Sequence, residues 1–351
     1  EGRLEVVCGD LEKDRLGIEE ADWKSLSERV DVVIHNGALV HWVYPYPKLR
    51  SANVIGTLWC INLASTHHSK PFIFLSSTSV LDTRHYVSLS DSIIEKDEGK
   101  GISENDDLEG SRFELKSGYG QSKWVAEKLI MEARKRGLSS CIVRPGYIVG
   151  DSKTGVTNTD DFIWRLIKGC IQLHSIPTIH NTLNMCPVDY VAHCVTVISL
   201  SSKASDLGVF HITHQKNPSI RFIDLFNSLS LYGYDVTKTE YIVWRNKLME
   251  FTLKQEDNAL YPLLHFVLDD LPSSTKSPEL DDRNTRDIVG QECMVIEENL
   301  IGIYLGYLVK VGFLDKPVPR DVSDLESKVL DLPDITVDLE DVEVLKRSGR
   351  N

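Results

Sequence analysis

The 351-residue chain is expected to fold as an α/β protein, a parallel sheet covered by helices and followed by a smaller, mainly helical region. Three observations carry that expectation. Short β-rich runs alternate with longer amphipathic ones through the first half, the polar and glycine-bearing motifs fall where strands would end or helices begin, and the strand rhythm fades in the second half. With 42% of residues hydrophobic and 26% charged, the chain has material for a sizeable core and is far from the profile of disorder.

Taken in order, strands are expected at 4–8, 30–35 and 71–75, with helices at 19–29 and 48–68 between them. Residues 82–117 are charged, weakly periodic and broken by Gly99, Gly101 and Gly110, which reads as a long loop over the sheet edge. The alternation resumes with a helix at 119–136, a strand at 140–144 and helices at 160–170 and 188–201, then a strand at 209–213. A helix at 222–232 and further helical patterns between 247 and 312 form the second region. Residues 331–343 are an acidic, poorly ordered tail. The expected division is 1–215 for the sheet domain, 216–320 for the helical region and 321–351 for the tail.

Composition narrows function. A formal charge of −13 disfavours attraction to nucleic acid or anionic lipid. No stretch approaches the roughly 18 to 20 apolar residues of a membrane helix, and the first residues lack the apolar core of a signal peptide, so a soluble, cytoplasmic chain is expected. Seven scattered cysteines, an odd number set mostly among apolar neighbours, read as reduced thiols. His174, His180, Cys186, His193 and Cys194 match no standard zinc spacing, and no metal site is expected.

The strongest chemical signal is Tyr119-x-x-x-Lys123 in SGYGQSKWVAEKL, preceded about forty residues earlier by the hydroxyl cluster Ser76-Ser77-Thr78-Ser79. A four-residue step puts Tyr119 and Lys123 on one helix face, where an ammonium beside a phenol favours the phenolate. Lowering a tyrosine from about 10 towards 7 takes roughly 4 kcal/mol of differential stabilisation. Alone, the spacing is common by chance. It gains meaning from an ordered set: GDL at Gly9 to Leu11, HNGALV from His35, NVIGT from Asn53, FLSSTSV from Phe74, and RPGYIVGDSKTG from Arg144. Each falls at an expected strand end or helix start, where open α/β sheets bind ligands.

With these motifs the sequence resembles the extended short-chain dehydrogenase/reductase superfamily. ALVHWVYPY, RPGYIVGDSKTG and NMCPVDYVA resemble its thioester reductase branch, from the first residue to about Phe313. The resemblance implies a Rossmann-like parallel sheet, NADPH as cofactor, and a partner in the form of a phosphopantetheinylated carrier domain bearing an acyl thioester. In the nearest members a 2-aminoadipyl group would be released as its semialdehyde, in lysine biosynthesis. It also implies a catalytic set of Ser77, with Thr78 as the fallback, Tyr119 and Lys123. Asp10 and Leu11 would approach the adenine, Asn36, Gly37 and Ala38 would pass beneath the ribose and phosphates, and Pro145 and Ile148 would border the nicotinamide.

Other residues keep two readings. Asn53 either lies near the cofactor ribose or pins neighbouring backbone. Trp42, Tyr44 and Tyr46 either line a pantetheine or acyl channel or form a packed loop stiffened by Pro45 and Pro47. Asp189 reads as a helix-start residue. No G-x-x-G-x-x-G turn occurs in the chain, and by the resemblance it begins at a third strand, with about 60 to 70 residues of two preceding strand and helix units lacking. In a 3-2-1-4 strand order, strands 4–8 and 30–35 would then pair directly or leave a gap, and these residues alone are expected to bind NADPH weakly or not at all. Two rivals stand beside the reductase reading: a free-standing reductase or epimerase acting on a small molecule or nucleotide sugar, and a non-catalytic scaffold.

Overall fold

Four strands hydrogen-bond in parallel in the order β1 (Val33–His35), β2 (Phe72–Leu75), β3 (Ser140–Pro145) and β4 (Val209–Ile212). Val33 faces Phe72, Phe72 faces Ser140, and Ile142 faces Val209. Every residue of β3 and β4 is buried, as parallel strands covered on both faces are, although β4 is the last strand of the ladder, and this explains why their sequences run almost continuously apolar. The computed structural model that shows this arrangement describes residues 3–41, 43–213, 220–254, 258–261, 264, 267, 276–293, 296–317 and 330–335.

The chain divides into two units, one made from Glu1–Gly146, Val191–Thr213 and Ser277–Glu292, the other from Tyr147–Tyr190, His214–Lys276 and Cys293–Asn351. In the first, the helices Gly56–Ser65 and Gly118–Lys135 press Cys60, Ala64, Ala126 and Ile130 onto Phe72, Phe74 and Ile142. The stretch expected as one helix at 48–68 is the helix Tyr46–Arg50, a wide π turn over Ser51–Ile55, and the helix Gly56–Ser65.

Two expectations in this unit are corrected. Residues 4–8 join no ladder among the described strands, and Leu4 and Val6 stand 88% and 81% exposed. A strand needs a partner for its amides, and among the described strands β1 hydrogen-bonds only β2. What ties the segment down is Arg29, which donates to both carboxylate oxygens of Glu5 at 2.7 and 2.6 Å. The expected loop at 82–117 contains the helix Arg84–Glu95. Thr83 caps it by accepting from the Tyr86 amide, and Tyr86, Leu89 and Ile93 turn one face onto Val80, Leu81, Ile102 and Leu108.

The second unit is mainly helical. Phe162–Gln172, Phe222–Leu231, Tyr241–Lys254 and Glu298–Lys310 bury Trp164, Phe226, Trp244, Tyr304 and Leu308 completely. Two parallel strand pairs accompany them, Tyr147–Val149 with Met185–Pro187 and Ser175–Pro177 with Thr237–Thr239. Part of the expected tail is built into this unit: the Leu330 amide donates to Leu231, and Ile335 is buried against Gly306. The rest of the acidic stretch lies outside the described residues. Among the described residues no helix is long and apolar enough to cross a membrane, and none of the seven cysteines is joined in a disulfide, six of them being buried.

Candidate active site

The carboxyl ends of β1, β2 and β3 set the site. Ser77 follows β2 and caps the short 3-10 turn Thr78–Leu81, its Oγ accepting from the Ser79 amide at 3.2 Å. Tyr119 is the second residue of the Gly118–Lys135 helix, whose first turn is fixed by Ser117 accepting from the Gly120 amide at 3.0 Å. One turn on, Lys123 is 3% exposed. Its ammonium donates to the Leu75 carbonyl at 2.7 Å, lies 4.6 Å from the Phe74 ring centre and 5.9 Å from that of Tyr119. Lys123 thus meets Tyr119 on its own helix and the end of β2 two residues before Ser77.

Electrostatics differ from the sequence-based expectation at the phenol. Burial pushes the Tyr119 hydroxyl up to about 12, above the ordinary phenol, rather than down towards neutrality. Burial also lowers the Lys123 ammonium to about 8, against the anion of Glu127, which raises it. His35, at the end of β1, is lowered to about 4 by burial and by the charge of Lys123, so its ring is neutral, held by Thr57 at 2.9 Å.

Of the residues the resemblance assigns to the cofactor, several come together. Leu11 packs on the loop after β1 and on the Gly56–Ser65 helix: a Cβ on Gly37 would meet its Cδ1 at 3.1 Å, and one on Gly56 its carbonyl at 2.8 Å. Asn36, Gly37 and Ala38 form that loop, with Asn36 and Gly37 exposed. Asp10 starts the turn carrying Leu11, accepting from the Glu12 amide at 3.0 Å. Pro145 ends β3, buried and paired with Ile212. Ile148 is 38% exposed on the Tyr147–Val149 strand of the other unit.

Asn53 pins backbone. From inside the π turn its Oδ1 accepts from the Leu39 amide at 2.7 Å, while Nδ2 donates to the Leu39 carbonyl at 3.0 Å and to Ser122 at 2.9 Å. It therefore ties the loop after β1 to the helix of Tyr119 and Lys123. Tyr44 stacks on His41 with centroids 3.5 Å apart and lies under the Lys48 ammonium. Trp42 lies outside the described residues. Asp189 stands in the first turn of Val188–Leu200 and accepts from the Ser152 amide and hydroxyl at 3.0 and 2.7 Å, holding the GDSKTG loop.

The aromatic loop crosses the start of the Tyr119 helix where only glycine fits. A Cβ on Gly118 would lie 2.3 Å from the Tyr44 carbonyl oxygen and 2.6 Å from the Tyr46 nitrogen, both backbone atoms that cannot swing aside. Gly118→Ala is therefore expected to destabilise the fold by about 1–3 kcal/mol, read as a lower urea midpoint. An unchanged midpoint would contradict so close an approach.

A buried polar network escaped the sequence reading. The Arg144 guanidinium donates to both oxygens of Glu127, with Nε at 3.0 Å from each and Nη2 at 2.7 Å from Oε2, and both side chains are fully buried. The Ser76 hydroxyl donates to the same carboxylate, and Arg144 Nη1 lies 3.0 Å from His211 Nε2. The signal available in sequence was Arg144 itself, a charge inside the apolar run CIVRP, which a central strand tolerates only when paired.

These groups suit a nicotinamide and its ribose. Among the described residues, one of the three donors that Lys123 carries is taken by Leu75, and the Ser79 Oγ is buried with no hydrogen-bond partner. Comparison with known proteins agrees. A sequence family of NAD-binding domains described as male sterility protein matches residues 1–195. The chain belongs to that family. Among curated relatives, this male sterility family chain is 47% identical to the L-2-aminoadipate reductase of Schizosaccharomyces pombe, over 99% of its own length and 24% of that protein. It is 48% identical to the L-2-aminoadipate reductase of Saccharomyces cerevisiae, over 92% of its length and 24% of that protein. The chain spans about a quarter of the length of these curated relatives. A solved structure, the terminal R domain from the myxalamid PKS-NRPS pathway, superposes with a TM-score of 0.78 at 34% identity, covering 89% of this chain and 76% of that one.

Proposed function

We propose that the chain is the reductase portion of a larger enzyme that releases a carrier-bound acyl thioester as an aldehyde with NADPH, the acyl group being 2-aminoadipyl and the product its semialdehyde. The observation that carries this reading is the buried Lys123, whose ammonium donates to the carbonyl of Leu75, two residues before Ser77, and lies 5.9 Å from the Tyr119 ring centre. The names of the relatives, L-2-aminoadipate reductases and a terminal R domain, support the acyl group and the carrier partner. Seven cysteines without a disulfide among them suit a reducing, cytoplasmic setting.

The reduced nicotinamide supplies a hydride when bound. The work of this chain is to prepare the carbonyl. Ser77 and Tyr119 donate hydrogen bonds to the thioester oxygen, and the charge that develops there is met by dipoles already in place. A phenol raised to about 12 holds its proton near neutrality and can deliver it to the oxyanion. Lys123, kept cationic up to about 8, orients the ribose and adds a positive field. The protonated hemithioacetal then breaks its carbon–sulfur bond, the sulfur leaving as a thiol as the hydroxyl proton is lost, and aldehyde and free pantetheine thiol depart.

The experiment is turnover by the full-length protein with a carrier-bound 2-aminoadipyl thioester, scored as NADPH consumed, aldehyde formed and thiol released. Equal amounts of the three are expected. Oxidation of NADPH with soluble ketones, or conversion of nucleotide sugars, in the absence of thioester reduction would favour the free-standing reductase or epimerase. No turnover of any of them, despite intact carrier loading, would favour the scaffold.

A further inference from the structure

We propose that Glu127 is a positioning residue for the reduction, an anionic hub that holds the segments carrying Ser77, Lys123 and Pro145 in one alignment. The proposal rests on the functional reading above and adds a residue that touches neither substrate nor cofactor in it. One carboxylate gathers three elements. It belongs to the helix of Tyr119 and Lys123, one turn beyond Lys123. It accepts from Ser76, the neighbour of Ser77, where β2 ends. It is gripped by Arg144, the neighbour of Pro145, where β3 ends.

The hub is itself held. Arg144 continues to His211 on β4, whose Nδ1 lies 2.8 Å from the Asp281 carbonyl. The His211 ring is lowered to about 3 by burial and by the Arg144 charge, so it is a neutral acceptor towards Arg144. Beyond it, the buried carboxyl of Glu104 accepts from the backbone amides of His211, Asn284 and Thr285 at 2.9, 2.6 and 3.2 Å. A side chain anchored through so many partners has one rotamer available, which is what a positioning group requires.

Glu127 also acts on charge. The groups around the Lys123 ammonium are Tyr119 and Glu127 from its own helix, neutral His35 from β1, and the Phe74 ring and Leu75 carbonyl from β2. Glu127 is the anion among them, and it opposes the loss of the Lys123 proton that burial favours. Without it, Lys123 would become neutral at lower pH.

The test compares the full-length protein with Glu127→Gln by lysine-labelled carbon NMR, Lys123→Arg assigning the resonance, alongside kcat and KM for NADPH across pH. In Glu127→Gln the Lys123 titration is expected to move down by about one pH unit. The alkaline limb of kcat should move with it, kcat should fall about tenfold, and KM for NADPH should stay within about twofold. Glu127→Asp should restore part of the titration. If Glu127→Gln does not fold, the double variant Glu127→Gln with Arg144→Leu, which leaves no unpaired buried charge, is read instead, with the same downward movement expected. A Lys123 titration and a kcat profile superimposable on the wild type, with only the melting temperature lowered, would reduce Glu127 to a structural ion pair and overturn the proposal. The titration needs no turnover, so a wild type that fails to reduce thioesters would count against the functional reading while the Glu127 result still decides the electrostatic role.

Discussion

Replacing Tyr119 by phenylalanine in the full-length protein is expected to cut kcat by about 10²–10⁴-fold, the usual worth of a positioned general acid, with the dissociation constant for NADPH changed by less than about twofold. The expectation follows from protonation. The phenol is pushed up to about 12 by burial, so at neutral pH it is a donor, and the reductive direction needs a donor where the carbonyl oxygen gains charge. Lys123 sets the pH range. Lowered to about 8, it is cationic at neutrality and loses its charge as pH rises through that value, so kcat should decline on the alkaline side. Turnover of Tyr119→Phe within a few-fold of wild type would remove Tyr119 from the chemistry.

The largest effect on stability is expected from Arg144→Leu. It strands the Glu127 carboxylate in a site with no solvent, and breaking one side of a buried pair costs about 3–5 kcal/mol. Removing both charges should cost much less, because neither is then left uncompensated. Urea unfolding of Arg144→Leu, Glu127→Gln and the double variant measures this directly. Losses that simply add in the double variant would show that the two side chains do not depend on each other.

Much of the sheet could be read from the chain because β2, β3 and β4 are apolar runs set between amphipathic helices, and that alternation follows from burial on both faces. The Tyr119 and Lys123 pair was equally legible, since four residues along a helix fix which side chains share a face. Residues 4–8 were misread for the converse reason. A β-rich run looks the same whether or not a neighbour exists to receive its hydrogen bonds, and among the described strands β1 pairs only with β2. The Arg84–Glu95 helix was hidden by Ser88, Ser90 and Ser92, which weaken its apolar period although Thr83 marks its start. Glu127 meets Arg144 across 17 residues and Arg144 meets His211 across 67, and no local period encodes such a meeting. The phenol's pKa was likewise out of reach, because burial at the site outweighs a neighbouring ammonium that sequence spacing alone brings to mind.

The wide turn at Ser51–Ile55 limits how this chain can change over generations. Each residue in a helix advances the side chains by about 100° around the axis, so deleting one residue from that turn would regularise the coil and rotate everything on one side of it relative to the other. Asn53 would then point away from either Leu39 or Ser122, even though none of the site's own residues had been replaced. Drift in length there should be selected against more severely than drift in letters.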